Sequence, residues 1–194
     1  MPASPDSTAA PGLATLELAL AAHREAAGAL LAAVGPAFAR LVAAVRACLA
    51  EGGTVFCCGN GGSAADAQHF ASELVGRTPP LRAAALTVDP SALTALANDH
   101  GYSEVFARQV RALGRPGDVL IALSTSGRSP NVVRAVQVAR AQGLVTVALG
   151  GPAGGPLIEE ADIALCAPGQ GVPRIQEMHM LLLHALWEAL EDRS

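Results

Sequence analysis

The chain has 194 residues, a formal net charge of −4, 51% hydrophobic residues and only 3% aromatics. That length suits one domain with a sizeable core and argues against a second full domain. The acidic balance provides no global basic field for nucleic acid or an anionic membrane, so an anionic ligand has to be held by local backbone and hydroxyl donors. With so few aromatics, the core has to be built from Ala, Val and Leu, which suits helices packed closely on a parallel sheet.

Residues 1–12, MPASPDSTAAPG, read as a disordered arm. Residues 13–49 are rich in Ala and Leu with helical periodicity, and Gly35-Pro36 divides them into two helices. Their apolar content exceeds one stripe, which predicts burial of more than one face, in a helical bundle between subunits. The domain boundaries expected are a 1–12 arm, N-terminal oligomerisation helices over 13–52, and the main domain over 53–194. The N-terminus lacks a basic region, and Glu17 interrupts the apolar stretch 13–22, so it does not read as a secretory signal. No uninterrupted apolar run is long enough to span a membrane. Cys48, Cys57, Cys58 and Cys166 show no CxxC spacing and read as reduced thiols of a cytoplasmic protein.

From Thr54 the pattern changes to short apolar runs alternating with amphipathic segments. Strands are predicted at 54–57, 84–88, 119–123, 145–149 and 163–166. Helices are predicted near 63–76, 91–98, 103–113, 130–142 and 173–191. Continuous apolar strands separated by helices imply a parallel sheet covered on both faces. Ligands of such sheets bind at the carboxyl ends of strands where the strand order switches, and the loops after Cys58 and Leu123 both lie at that edge.

The first chemical signal is GNGGSAADAQHFASE at 59–73. Its glycines permit close backbone approach, and the following helix offers unpaired N–H groups, with Ser63 placed as its N-cap. No Gly-Lys-Ser/Thr follows, so it is not a P-loop. It partly matches a dinucleotide fingerprint, with Ala64 at the third glycine position and Asp89 at the end of the next strand, where a ribose ligand would stand. A plain strand-to-helix turn would carry the same residues.

The second signal is Ser124-Thr125-Ser126-Gly127-Arg128-Ser129, before a helix start marked by Pro130. Hydroxyls and helix N–H groups together cradle a phosphate without lysine; the plainer reading is a turn with Ser129 as N-cap. Further along the first motif, His69 and Glu73 stand one helical turn apart, about 6 Å along the axis. They read either as a surface ion pair or as a pair for metal or proton chemistry, and Asp66 and Gln68 offer other polar faces. On the C-terminal helix, Gln176, Met180 and His184 share a face, while His179 falls on another, read as solvated. His184, among leucines, is either a core histidine with a partner or a functional one. Asn98-Asp99-His100-Gly101-Tyr102 reads as a helix end and turn whose Asn98 and Asp99 can reach sugar hydroxyls.

Together, GNGGSAADAQHFASELVGR, LANDHGYSEVFARQV, GDVLIALSTSGRSPNVVRA and RIQEMHMLLLHAL resemble the sugar isomerase (SIS) domain, specifically the phosphoheptose isomerases, from about residue 35 onward. The resemblance implies a three-layer αβα sandwich with a five-stranded parallel sheet preceded by N-terminal helices. It also implies a homotetramer that converts D-sedoheptulose 7-phosphate to D-glycero-D-manno-heptose 7-phosphate, for heptose in lipopolysaccharide or other glycans. Carried across by motif, Asn60, Gly61, Gly62 and Ser63 contact substrate, Asn98 and Asp99 bind sugar hydroxyls, and Ser124, Thr125, Ser126 and Ser129 hold the phosphate. His69, Glu73, Gln176 and His184 match the family's zinc site, where Glu73 and Gln176 also touch substrate. Enediol chemistry needs a base and an acid, for which Glu73 and His184 are the candidates. Zinc would act there as a Lewis acid. Two tensions accompany that set: a zinc-bound carboxylate is a weaker base, and Gln176 and His184 stand about 12 Å apart along their helix, so a shared metal has to sit midway, over Met180.

The chain departs from the family pattern at Pro173, where phosphoheptose isomerases often carry Asp, in a short segment after Arg77, and at Arg128, which adds a positive charge to the hydroxyl loop. A competing reading is a non-catalytic tetrameric relative that binds the replication initiator and shares the ARQVRALG and RIQEMHML wording. That relative lacks the carboxylate and histidine that match Glu73 and His184. A sugar-phosphate-sensing regulator would need an attached DNA-binding module. A dinucleotide oxidoreductase would leave the serine loop unused.

Overall fold

The computed structural model describes residues 11–191. The expectation for the N-terminal arm lies, for residues 1–10, outside the described residues. Helix α1 (Pro11–Ala50) leads into β1 (Val55–Gly59), α2 (Gly62–Val75), β2 (Ala83–Ala85) and α3 (Pro90–His100). A 3-10 turn (Tyr102–Glu104) precedes α4 (Val105–Leu113), β3 (Val119–Ser124), α5 (Pro130–Ala141), β4 (Val145–Gly150), a short α6 (Pro156–Glu160), β5 (Ile163–Cys166) and α7 (Gly171–Ala189). The five strands form one parallel sheet in the order β2-β1-β3-β4-β5.

Alternation along the strands sorts the core into two layers. Val55 and Cys57 of β1, with Ile121 and Leu123 of β3, join α1, α2 and α7 on one face. Phe56, Cys58, Leu120 and Ala122 face α4, α5 and α6 on the other, with α3 packed at its margin. Successive side chains of a strand point to opposite faces, so nearly continuous apolar runs are what a sheet covered on both sides requires. The result is the three-layer αβα sandwich expected. The four cysteines are free, and burial of Cys58 pushes its thiol up to about 12, which keeps it protonated and unreactive.

Two expectations change. Residues 13–49 do not form two helices: α1 runs unbroken through Pro36. A proline ring costs about 3 kcal/mol in a helix interior, but Val34 and Leu41 on either side are 2% and 0% exposed, and burying each contributes about 1.5–3 kcal/mol. Pro36 and Ala32, whose carbonyl loses its donor, both face solvent. The helix is also tied to the body by Arg40 donating to the Asp162 carbonyl (2.8 Å), Arg46 to the Ala189 carbonyl (2.6 Å), and His23 to Glu177 (2.7 Å). By length and composition α1 is the one helix among the described residues long and apolar enough to cross a membrane, although only 22% of its most apolar window is buried.

The second change is His179, which is not solvated. It is 0% exposed, and its Nε2 lies 3.1 Å from the Gly150 carbonyl at the end of β4. That contact requires Nε2 to carry the proton, which leaves Nδ1 a buried acceptor without a partner. Desolvation is the largest influence and holds the pKa of His179 below the ordinary histidine value near 6.5; the Gly150 contact opposes it. The unfolded chain therefore binds this proton at a pH where the folded chain does not, so the stability contribution is complete above about pH 6.5 and is lost as pH falls below it. Denaturation of the wild type at a series of pH values should show this loss, and His179→Asn, which keeps a donor for Gly150, should flatten the curve between pH 6.5 and 5. Parallel curves would exclude the assignment.

Candidate active site

The strand order reverses direction between β1 and β3, so the connections leaving these strands diverge and open a crevice at their carboxyl ends. The β1–β3 register sets Gly59 beside Leu123, which brings the glycine loop and the hydroxyl loop together. A cleft of about 240 Å³ lies between them, lined by Asn60, Gly62, Ser63, Ser124, Thr125, Ser126 and Ser129, with Val172 and Gln176 entering from α7. A larger cavity of about 440 Å³ lies at the opposite edge of the sheet. Its buried acid, Asp118, is already spent on the Thr54 and Arg115 backbone N–H groups, each at 2.8 Å.

In the glycine loop, Gly61 takes φ +55° and is itself the N-cap of α2. Ser63 is therefore not the cap expected from the sequence; it sits one residue inside the helix, 4% exposed, with its side chain on the cleft. A Cβ at Gly62 would collide with the side-chain amide of Gln176. The missing side chain there lets α7 approach α2 at the mouth of the site. Asp89, considered as a ribose ligand, caps α3 by accepting from Ala92 N at 2.9 Å.

In the hydroxyl loop, Ser124 Oγ lies 3.0 Å from Ser129 Oγ and 3.4 Å from Ser126 Oγ. Ser129 occupies the N-cap position of α5, with Pro130 at the first turn, but its side chain makes no capping bond. The hydroxyls face one another at the N-terminus of α5, where the helix dipole favours an anion. Arg128 is exposed; its backbone N–H donates to Ser126 Oγ at 3.2 Å.

A second group of side chains lies along the α2–α7 seam. His69 Nε2 and His184 Nε2 are 2.9 Å apart with the rings edge to face, and Glu73 Oε1 stands 3.8 Å from His69 Nε2. Trp187 donates Nε1–H to the Glu73 carbonyl at 3.3 Å, and Arg77 donates to the Trp187 carbonyl at 2.6 Å while covering its ring. His184 is thus an exposed histidine with a histidine partner, despite its leucine-rich sequence surroundings. Gln68 faces away, toward Thr87. Asp66 has one enclosed carboxylate oxygen without a partner; burial raises its pKa, and His69 acts in the opposite sense.

The zinc expectation for His69, Glu73, Gln176 and His184 is overturned. Among the described residues no group of three or more His, Cys, Asp or Glu is arranged to hold a metal ion. The two imidazoles spend their Nε2 atoms on each other, one donating and one accepting. Gln176 lines the cleft instead, two turns from His184.

Asn98 and Asp99 do not line the cleft. They are exposed at the end of α3, where Asn98 Nδ2 donates to Asp99 at 2.8 Å. Sequence reasoning missed two residues that connect this corner to the site. Tyr102 donates its hydroxyl to Asn60 Oδ1 at 3.0 Å, and Asn131, 2% exposed, makes a reciprocal amide pair with Asn60. A signal for Asn131 was present: its helical spacing to Ala135 and Val138 puts a polar residue on the apolar face of α5.

A family model described as the SIS domain matches residues 21–151, and so includes much of α1. Phosphoheptose isomerase of Thiobacillus denitrificans is 53% identical over 151 residues, covering 74% of this chain and 77% of that protein. The enzyme of that name from Paramagnetospirillum magneticum is 51% identical over 180 residues, covering 91% and 94%. The solved structure of phosphoheptose isomerase from Neisseria gonorrhoeae superposes with a TM-score of 0.88 at 42% identity, covering 91% of this chain and 96% of that one. With matches of this extent in sequence and in fold, the chain belongs to the phosphoheptose isomerase family of SIS-domain proteins.

Proposed function

We propose that the chain is a ketose–aldose isomerase that converts D-sedoheptulose 7-phosphate to D-glycero-D-manno-heptose 7-phosphate through an enediol. The observation that carries this reading is a single cleft walled by two anion- and hydroxyl-binding loops and continued by an α2–α7 seam bearing a carboxylate and two imidazoles. Gln176 lines the cleft, and His184 follows it on the same helix by about 12 Å. A sugar phosphate whose reacting carbons are remote from its phosphate needs this separation of tasks.

In this reading Ser124, Thr125, Ser126 and Ser129, with the α5 N-terminus, hold the phosphate. Asn60, Gly61, Gly62, Ser63 and Gln176 line the path of the sugar, and Asn98 and Asp99 meet hydroxyls at the rim. The Glu73 carboxylate removes the C1 proton of the ketose and returns it to C2. His184 donates to the C2 oxygen as the enediol forms. His69, sharing one proton with His184 across their Nε2 atoms, supplies the route by which the proton from the C1 hydroxyl is taken up. Leu13, Leu16, Leu18, Leu20 and Leu31 of α1 are exposed, and a groove lined by Leu30, Leu31, Val34, Phe38, Leu181 and Leu182 lies between α1 and α7. A homotetramer covers these surfaces in this reading, the protein is cytoplasmic, and its product serves heptose synthesis for lipopolysaccharide or another glycan.

Aldose formation from sedoheptulose 7-phosphate by the purified chain is the direct test. Glu73→Gln and His184→Ala should each lower kcat by at least about 100-fold while the oligomer, measured by light scattering, stays the same. Absence of wild-type turnover together with capture of the replication initiator would replace this reading with the adaptor. Gly62→Ala should raise KM about tenfold, because the added methyl displaces the Gln176 amide. Its melting temperature should barely move, because the displaced atoms are the end of a flexible side chain. An unchanged KM would remove Gln176 from the substrate path.

A further inference from the structure

The two loops of the cleft are 71 residues apart in sequence at the point where their side chains meet, and what joins them there is a closed amide pair. Asn60 Nδ2 donates to Asn131 Oδ1 at 2.9 Å, and Asn131 Nδ2 donates to Asn60 Oδ1 at 2.8 Å. The orientation is determined by a third bond. The Val132 backbone N–H, which is shared with the Ser129 carbonyl at 3.1 Å, also lies 3.1 Å from Asn131 Oδ1, and only an oxygen accepts there. Once Asn131 is oriented, Asn60 has to present its own oxygen to the Asn131 NH₂ group. That oxygen also accepts the Tyr102 hydroxyl at 3.0 Å. Asn60 Oδ1 is then saturated by two donors, and Asn60 Nδ2 retains one N–H with no partner among the described residues.

The placement of Asn131 gives this pair its consequence. It is the second residue of α5, two after Ser129, and 2% exposed. An amide buried on a face otherwise formed by Val132, Ala135 and Val136 is costly unless fully paired. The pair therefore behaves as a rigid brace between the helix N-terminus under the hydroxyl loop and the glycine loop. Tyr102 extends the brace to the turn that carries Asn98 and Asp99.

We infer that Asn131 and Tyr102 are positioning residues for the substrate, clamping Asn60 so that the glycine loop and the hydroxyl loop form one receptor of set spacing, with one Asn60 N–H offered to the sugar. This rests on the isomerase reading above. Neither residue needs to touch substrate. Their effect is on a ligand that spans both loops, and a ligand held by the hydroxyl loop alone does not sense them.

The test compares a spanning ligand with a short one. Calorimetric binding of sedoheptulose 7-phosphate and of inorganic phosphate, together with turnover, is measured for the full chain, Asn131→Asp and Tyr102→Phe. The aspartate keeps the acceptor for Asn60 and Val132 but turns the donor that faced Asn60 Oδ1 into an oxygen. Its affinity for sedoheptulose 7-phosphate and its kcat/KM should fall about tenfold further than its phosphate affinity, which the new carboxylate at the α5 N-terminus also lowers. Tyr102→Phe removes one donor at an exposed position and should give a smaller loss, about threefold, of the same selective kind. If Asn131→Asp does not fold, Tyr102→Phe decides the matter alone. Equal losses for both ligands would reduce the clamp to a structural contact, and no loss for either would remove it. A wild type that binds phosphate but neither binds nor converts the sugar phosphate would sink the isomerase reading and the clamp with it. A wild type that converts the sugar, with undiminished selectivity in both variants, sinks the clamp alone.

Discussion

Parallel pairing of β1 with β3 is the constraint on which the remainder depends. Two strands separated by more than fifty residues of chain lie side by side in a register that ends with Gly59 opposite Leu123. Because the connections from these strands leave toward different faces of the sheet, nothing fills the space above their carboxyl ends. Each strand then delivers a helix N-terminus to that space. A net-acidic chain with no lysine at the site thereby acquires a local donor field for an anion from backbone dipoles and hydroxyls.

The α2–α7 contact is the second element, and it depends on the first. Glycine at position 62 lets Gln176 close over the end of α2. The two helices then run together far enough for His69 to meet His184 and for Trp187 to reach the Glu73 carbonyl. The rings face each other through their Nε2 atoms, which makes the seam a place where one proton is shared. Among the described residues no third ligand joins them in a metal-binding arrangement, and Glu73 stands beside the pair as a carboxylate 3.8 Å from His69.

Much of the sheet was legible because fully buried parallel strands are apolar without interruption. The prediction at 163–166 coincides with β5, and the other four strands overlap theirs. The short α6 went unseen because five residues carry less than two helical turns of periodicity. The break predicted at Gly35-Pro36 failed because local propensity was set against burial of Val34 and Leu41, and burial outweighs it. At the site, the glycine and hydroxyl loops could be located from their composition and their place after strands, although a plain strand-to-helix turn would carry the same residues. The functions of His179 and Asn131 could not be read, because helical spacing separates faces but does not say what packs against each.

The sequence by itself determined the layer architecture, the edge of the sheet where the cleft opens, and the two loops that wall it. These follow from local periodicity and from the backbone freedom of a few glycines, which neighbouring residues control. Tertiary structure alone decided which side chains meet across long separations: His69 with His184, Gly62 with Gln176, Asn60 with Asn131 and Tyr102. Such pairs depend on the relative rotation and depth of whole helices on the sheet, quantities summed over the entire core and carried by no single motif.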